Sequence, residues 1–211
     1  MEGALSSKWD ERFAVDEYVF GTEPNDFLVE QSSLLRSPVL SIGEGEGRNA
    51  VFLALLGLAV HAVDSSAVGL SKARALARSR GLDIHTIEAD LADHVPPDSH
   101  YEAVISIFAH LPSPVRQQLY PRIARCLKPG GILLMEAYAE AQIHRDTGGP
   151  KSLDMLMSVG KVREEFPDFE PLILREIERD VCEGHGHTGA ACVVQFVGRR
   201  MQAAGSLILK R

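Results

Sequence analysis

Three alternate glycines, Gly43, Gly45 and Gly47, follow a short apolar run and precede a stretch of helical spacing. Glycine in such a turn takes positive φ and lets a ligand approach the backbone closely. The helix that follows adds free N–H groups and a partial positive charge. Asp64 ends the next apolar run, and a carboxylate there, with Ser65 beside it, can accept both hydroxyls of an adenosine ribose. This much fits two ligands. Gly45-Glu46-Gly47-Arg48-Asn49-Ala50 also satisfies the dinucleotide pattern. An NAD-dependent oxidoreductase therefore stays open beside a protein that binds S-adenosylmethionine (SAM).

Three features favour SAM. Glu44 and Glu46 put negative charge where a dinucleotide would place its pyrophosphate, whereas SAM carries a sulfonium and an amine. Asp90, with Leu91 after it, ends a third apolar run where a side chain can bond the adenine amino group. Lys128-Pro129-Gly130-Gly131 forms a turn feeding a further strand. The cofactor set expected is Gly43, Glu44, Gly45, Gly47, Asn49, Asp64, Ser65, Asp90, Leu91 and Ile107. On the acceptor side, His110 follows the fourth strand, while His185 and His187 lie in a glycine-rich turn near the end of the chain. Imidazole can orient or deprotonate an acceptor near neutral pH. Cys182, His185, His187 and Cys192 also have a spacing compatible with zinc, but a domain of this size needs no metal staple, and no metal is expected.

These residues need a scaffold. Val39 to Ile42, Ala59 to Val63, Ile84 to Ala89, Ala103 to Phe108 and Ile132 to Tyr138 read as strands. Asn49 to Leu56, Val68 to Arg80 and Ser113 to Leu127 read as the helices between them, with a kink or break at Pro121. Leu153 to Phe166 reads as one more helix. Leu172 to Val181 and Ala191 to Gly198 close the chain as a hairpin whose turn spans Cys182 to Ala190. Alternating strands and helices demand a parallel sheet with right-handed crossovers. If strand 6 runs parallel to the first five, the hairpin turn overhangs the ligand edge. Residues 1–37 read as a helical segment able to act as a lid, 38–200 as the binding domain and 201–211 as a tail. The cluster Trp9, Arg12, Tyr18 and Phe20 belongs to the first segment.

Composition narrows the class. The chain has 211 residues, 45% hydrophobic and 24% charged, which suits one globular α/β domain. A formal charge of −7 argues against nucleic acid as a partner. No apolar run is long enough to span a bilayer, and no basic segment opens an apolar stretch at the start. A cytoplasmic protein with reduced thiols is expected, and oligomeric state is not legible.

The run Leu40 to Asn49, then Asp64, then Ala89-Asp90-Leu91, then Leu127 to Gly131 resembles the ordered motif series of class I SAM-dependent methyltransferases. Arg48-Asn49 and the opening Trp9-Asp10-Glu11-Arg12-Phe13 resemble the tellurite-resistance and thiopurine methyltransferase branch. The resemblance covers roughly residues 9 to 200. It implies a Rossmann-like, seven-stranded, mostly parallel sheet of order 3-2-1-4-5-7-6, strand 7 antiparallel, with helices on both faces. It also implies a small-molecule acceptor, a thiol or a chalcogen oxyanion, and a histidine on the hairpin turn best matched by His187. Two positions depart from the pattern. Ser41 stands where the family often has an acid contacting the SAM amine, and Glu44 stands where a small residue is common. A non-catalytic SAM-binding protein remains the other alternative.

Overall fold

The computed structural model describes residues 3–184 and 187–202. The N-terminal segment forms α1 (Gly3–Phe13) and α2 (Asp26–Gln31), the latter capped by the Asn25 side chain, which accepts from Leu28 N–H. The alternating region follows: β1 (Val39–Ile42), α3 (Arg48–Leu55), β2 (Val60–Asp64), α4 (Ala67–Ser79), β3 (His85–Glu88) and β4 (Tyr101–Ile107). Then come α5 (Ser113–Cys126), β5 (Leu127–Tyr138), α6 (Val159–Glu165), β6 (Phe169–Glu183) and β7 (His187–Arg200). The sheet has the order β3-β2-β1-β4-β5-β7-β6. All pairs are parallel up to β5, and β7 is antiparallel to both β5 and β6. β6 is therefore parallel to β5, as the resemblance implies, and its end lies on the ligand edge.

Alternation along the central strands builds two cores. Leu40 and Ile42 face the layer holding Leu119 and Ile123 of α5 and Val162 of α6. Val39, with Ala103 and Ile105, faces Phe27 and Leu28 of α2, Val51 of α3 and Ala73 of α4. A register shift between Tyr101 and Ala103 turns Tyr101 to the α5 side although Ala103 faces the other.

The structure corrects several sequence boundaries. Pro121 lies inside α5 without ending it, because it and Gln117, whose carbonyl loses its helical partner, face solvent. The helix expected over 153–166 is instead a 3-10 turn, Leu153–Met155, followed by α6. Between them Met157 is drawn into a bridge with Ala139, and Ser158 then caps the new helix. β5 begins at Leu127, so Lys128 to Gly131 belongs to the strand. The hairpin ladder runs on to Glu183↔His187, which shortens the turn and puts Gly189 inside β7. No helix among the described residues is long and apolar enough to cross a membrane.

Candidate functional site

Backbone bonds beyond the strand ends gather the site on one edge of the sheet. Glu44 N–H donates to the Val63 carbonyl at 3.1 Å, Ala89 N–H to that of Asp64 at 2.9 Å and Phe108 N–H to that of Glu136 at 2.8 Å. The glycine turn, Asp64, Asp90 and Phe108 thus share an edge with the end of β6 and the start of β7. Gly47 has φ +93°, and a Cβ there would lie 2.5 Å from the Ala73 Cβ, so this glycine lets α3 pack closely on α4. The turn and Asp64 form one unit. Gly45 N–H donates to Asp64 Oδ2 and Ser66 N–H to Oδ1, both at 2.8 Å.

A carboxylate has about four acceptor positions, so Asp64 retains capacity for hydroxyl donors after these two bonds. Burial raises its pKa, and the N–H groups of Ser66, Gly45 and Ser65 offset only part of that rise. Ser65 is half-buried beside it, and Leu91 and Ile107 are buried apolar residues near the same edge. Asp90 binds Ala92 N–H through Oδ1 at 2.8 Å, and its carbonyl accepts from Asp93 and His94, so it opens a local turn. Buried acceptors, a glycine-rich turn and apolar walls are a donor set that fits an adenosine-bearing ligand.

Two acidic residues behave differently from the sequence expectation. Glu44 is turned under the glycines, where its carboxylate accepts from Ser41 Oγ and, at 2.8 Å, from Ala50 N–H. Burial raises its pKa. It caps α3 rather than pointing outward, and its carboxylate lies beside Ser41. Glu46 is paired with Lys72 at 2.5 Å, which compensates its charge. With one carboxylate turned inward and the other paired, the turn presents less negative charge to a pyrophosphate than its sequence implies. Asn49 accepts the Asn25 N–H through Oδ1 at 3.0 Å, so that oxygen ties α3 to the start of α2.

α1 lies directly on this unit. The Phe13 ring is buried and sits 3.1 Å from where a Gly45 Cβ would be, and 2.9 Å from that of Gly69. Asp10 Oδ1 accepts from Ser66 Oγ at 2.6 Å and from Val68 N–H at 3.2 Å, at the first turn of α4. Trp9 stacks on Phe13 with centroids 5.4 Å apart, and Arg12 lies over both Trp9 and Phe20.

Next to the unit of glycine turn and Asp64, four rings converge. His187 lies 4.6 Å from Phe20, 5.0 Å from Phe108 and 5.3 Å from Tyr138, centroid to centroid. Phe108 holds φ +51°, a left-handed backbone that costs a non-glycine residue roughly 1 kcal/mol and gathers at functional sites. His110 joins the cluster, stacked 5.3 Å from Tyr138, but its Nε2 accepts the Tyr138 N–H at 3.0 Å. Burial and the nearby His187 push its pKa down to about 3. With Nε2 taken by that backbone bond, His110 makes a structural contact where the sequence reading expected a catalytic one. His185 lies outside the described residues. Cys182 is exposed opposite Thr188 and Cys192 lies opposite Glu178, and no metal-holding group occurs among the described residues.

Behind His187 is a buried polar network that the sequence reading missed. Asn25 Nδ2 donates to Glu183 Oε1 at 2.7 Å and to Glu136 Oε2 at 2.5 Å. Arg48 pairs with Glu183, and Arg179 grips Glu136 through two bonds of 2.9 and 2.7 Å. Gln195 adds a bond to Glu136 at 2.8 Å. The only sequence signal was that Glu136 and Gln195 sit in otherwise apolar strands.

Residues 39–131 match the family model described as a methyltransferase domain. A curated relative from Mycobacteroides abscessus, 2-heptyl-1-hydroxyquinolin-4(1H)-one methyltransferase, is 27% identical over 126 residues, 58% of this chain and 55% of the relative. The match thus spans about half the length of that relative. A structure described under conversion of a disulfide bond into a thioacetal group during echinomycin biosynthesis superposes with TM-score 0.75 at 20% identity, covering 96% of this chain and 95% of the other. The N-methyltransferase NodS from Bradyrhizobium japonicum, in complex with S-adenosyl-L-homocysteine, gives TM-score 0.69 at 14% identity over 93% of this chain and 98% of its own.

Proposed function

We propose that this chain, which has the class I SAM-dependent methyltransferase fold and matches the methyltransferase domain over residues 39–131, binds SAM and methylates a small-molecule acceptor. The observation that carries the reading is the bond between Gly45 N–H and Asp64, which makes the glycine turn and the ribose-type acceptor a single preformed unit. Gly43, Gly45 and Gly47 would shape the cradle, Asp64 would take the ribose hydroxyls, and Asp90, Leu91 and Ile107 would bound the adenine. When bound, SAM supplies a methyl group on a positively charged sulfur, already a good leaving group. What remains for the protein is to position an acceptor and, where the acceptor carries a proton, to remove it.

The ring cluster of Phe20, Phe108, Tyr138 and His187, with the Arg12 guanidinium at its rim, suits a planar acceptor with an ionisable atom. The hydroxyquinolone substrate named for the M. abscessus relative has that character, which favours an N-hydroxy or phenol-like oxygen. Burial lowers the His187 pKa while Glu183 raises it, leaving a neutral ring able to accept a proton. The thiol and chalcogen oxyanion acceptors implied by the sequence resemblance belong to the same panel. Release of S-adenosylhomocysteine with 1-hydroxyquinolin-4(1H)-one, thiophenol and selenite as acceptors tests the reading. Turnover with one of them supports it. SAM binding without turnover across a widened panel would instead favour a non-catalytic SAM-binding protein.

A further inference from the structure

We propose that Glu183 is the positioning residue of a carboxylate–imidazole pair, fixing His187 with its proton on Nδ1 so that Nε2 is the edge that accepts a proton from the acceptor. This rests on the methyltransferase reading for its purpose, but not for its geometry. Glu183 ends β6 and His187 begins β7, paired across the hairpin. The Glu183 carboxylate is buried, with Oε1 bonded by Asn25 and Oε2 by Arg48. His187 Nδ1 is 3.9 Å from Oε2, in ion-pair range but longer than a hydrogen bond. Among the described residues this buried Nδ1 has no hydrogen-bond partner, and neither has Arg48 Nη1. An imidazole nitrogen enclosed beside a fixed carboxylate has one favourable state, protonated and turned to that carboxylate.

The surroundings determine the alignment. Phe20, Phe108 and Tyr138 pack on the imidazole ring and restrict its rotation. Gly21 and Gly184 bring the segment before α2 against the hairpin turn, where a Cβ on Gly184 would lie 2.3 Å from the Val19 carbonyl. Asn25 is both the cap of α2 and a donor to Glu183, so α2 positions the carboxylate. The charged and titratable groups facing His187 are Glu183 from β6, Arg48 from α3, Arg12 from α1, His110 after β4 and Tyr138 from β5. Glu183 is the group that favours the imidazolium, while Arg48 and Arg12 oppose it. In the step, the X–H electron pair stays on the acceptor atom, the proton moves to Nε2, and Glu183 faces the resulting imidazolium.

Long-range 1H–15N spectra of the full chain labelled with 15N-histidine test this without cofactor or acceptor, with His187→Gln assigning the signal. The expected result is an Nδ1–H neutral tautomer for His187. A Glu183→Gln variant should lower its pKa by about one unit or more, and Glu183→Asp should restore part of that shift. An Nε2–H tautomer with bare Nδ1 in the unmodified protein would overturn the proposal, even if Glu183→Gln fails to fold. So would a folded Glu183→Gln with unchanged His187 titration. Because these signals are read without SAM, a protein that shows the pair and binds no SAM would contradict the proposed function while leaving the pair standing.

Discussion

At the scale of single residues, the proposed function rests on Asp64 and His187. Asp64→Asn keeps one carbonyl acceptor but loses the charge offered to the ribose. SAM affinity should fall by on the order of 1.5–3 kcal/mol, roughly 10- to 150-fold, in a calorimetric titration. An unchanged dissociation constant would place the ribose elsewhere. His187→Gln should lower turnover at least tenfold while SAM affinity stays within about twofold, because the cofactor unit is built from β1 to β3 and their turns. Equal losses in affinity and turnover would make His187 part of the cofactor site instead. The placement of the glycines and Asp64 was legible because a turn after a strand depends on backbone freedom and position. Glu44 was not, since sequence shows its charge but not that it folds under the turn to Ser41 and Ala50. Nor was the Asn25–Glu183 bond, whose partners are 158 residues apart.

At the scale of elements, α1 is the piece with most consequence for binding. Phe13 covers Gly45 and Asp10 holds the first turn of α4, so the expected response to a ligand on the turn is a rearrangement of α1. Trp9, the only tryptophan, stacks on Phe13 and reports that movement. Its emission should change on SAM addition with the same midpoint as calorimetric binding, and Phe13→Ala should speed association. Emission indifferent to saturating SAM would make α1 a fixed part of the wall. The sequence pointed to a helical lid from an aromatic cluster alone; its docking partners are set by tertiary geometry. The alternating region was read closely, because buried parallel strands bounded by glycines leave few alternatives. The stretch 153–166 was not, because its apolar pattern is helical throughout while a bridge from Met157 to Ala139 overrides it. The hairpin strands were read too short, since polar β6 positions carry no strong apolar alternation.

Over the whole molecule, the buried titratable groups tie stability to pH. His110 is held at about 3, below its ordinary 6.5. The unfolded chain therefore binds a proton that the folded one refuses between these values, and stability falls with acidification across that window. Glu183 is held at about 2 against an ordinary 4.5: burial raises its pKa, but His187, Arg48 and Asn25 lower it further. Its contribution is present above 4.5 and is lost as pH falls towards 2. Each proton contributes a slope of about 1.4 kcal/mol per pH unit, so Tm should drop from pH 7 to pH 4, and His110→Gln should flatten the upper part. A Tm independent of pH over that range would contradict these environments. On the proposed function, a seven-stranded sheet with this turn holds SAM rather than a dinucleotide. Calorimetric titration of the full chain with SAM, S-adenosylhomocysteine and NAD tests it most directly. The expected result is saturable, one-to-one binding of the first two, on the order of micromolar affinity, and no comparable binding of NAD. Saturable NAD binding with SAM and S-adenosylhomocysteine inert would contradict it.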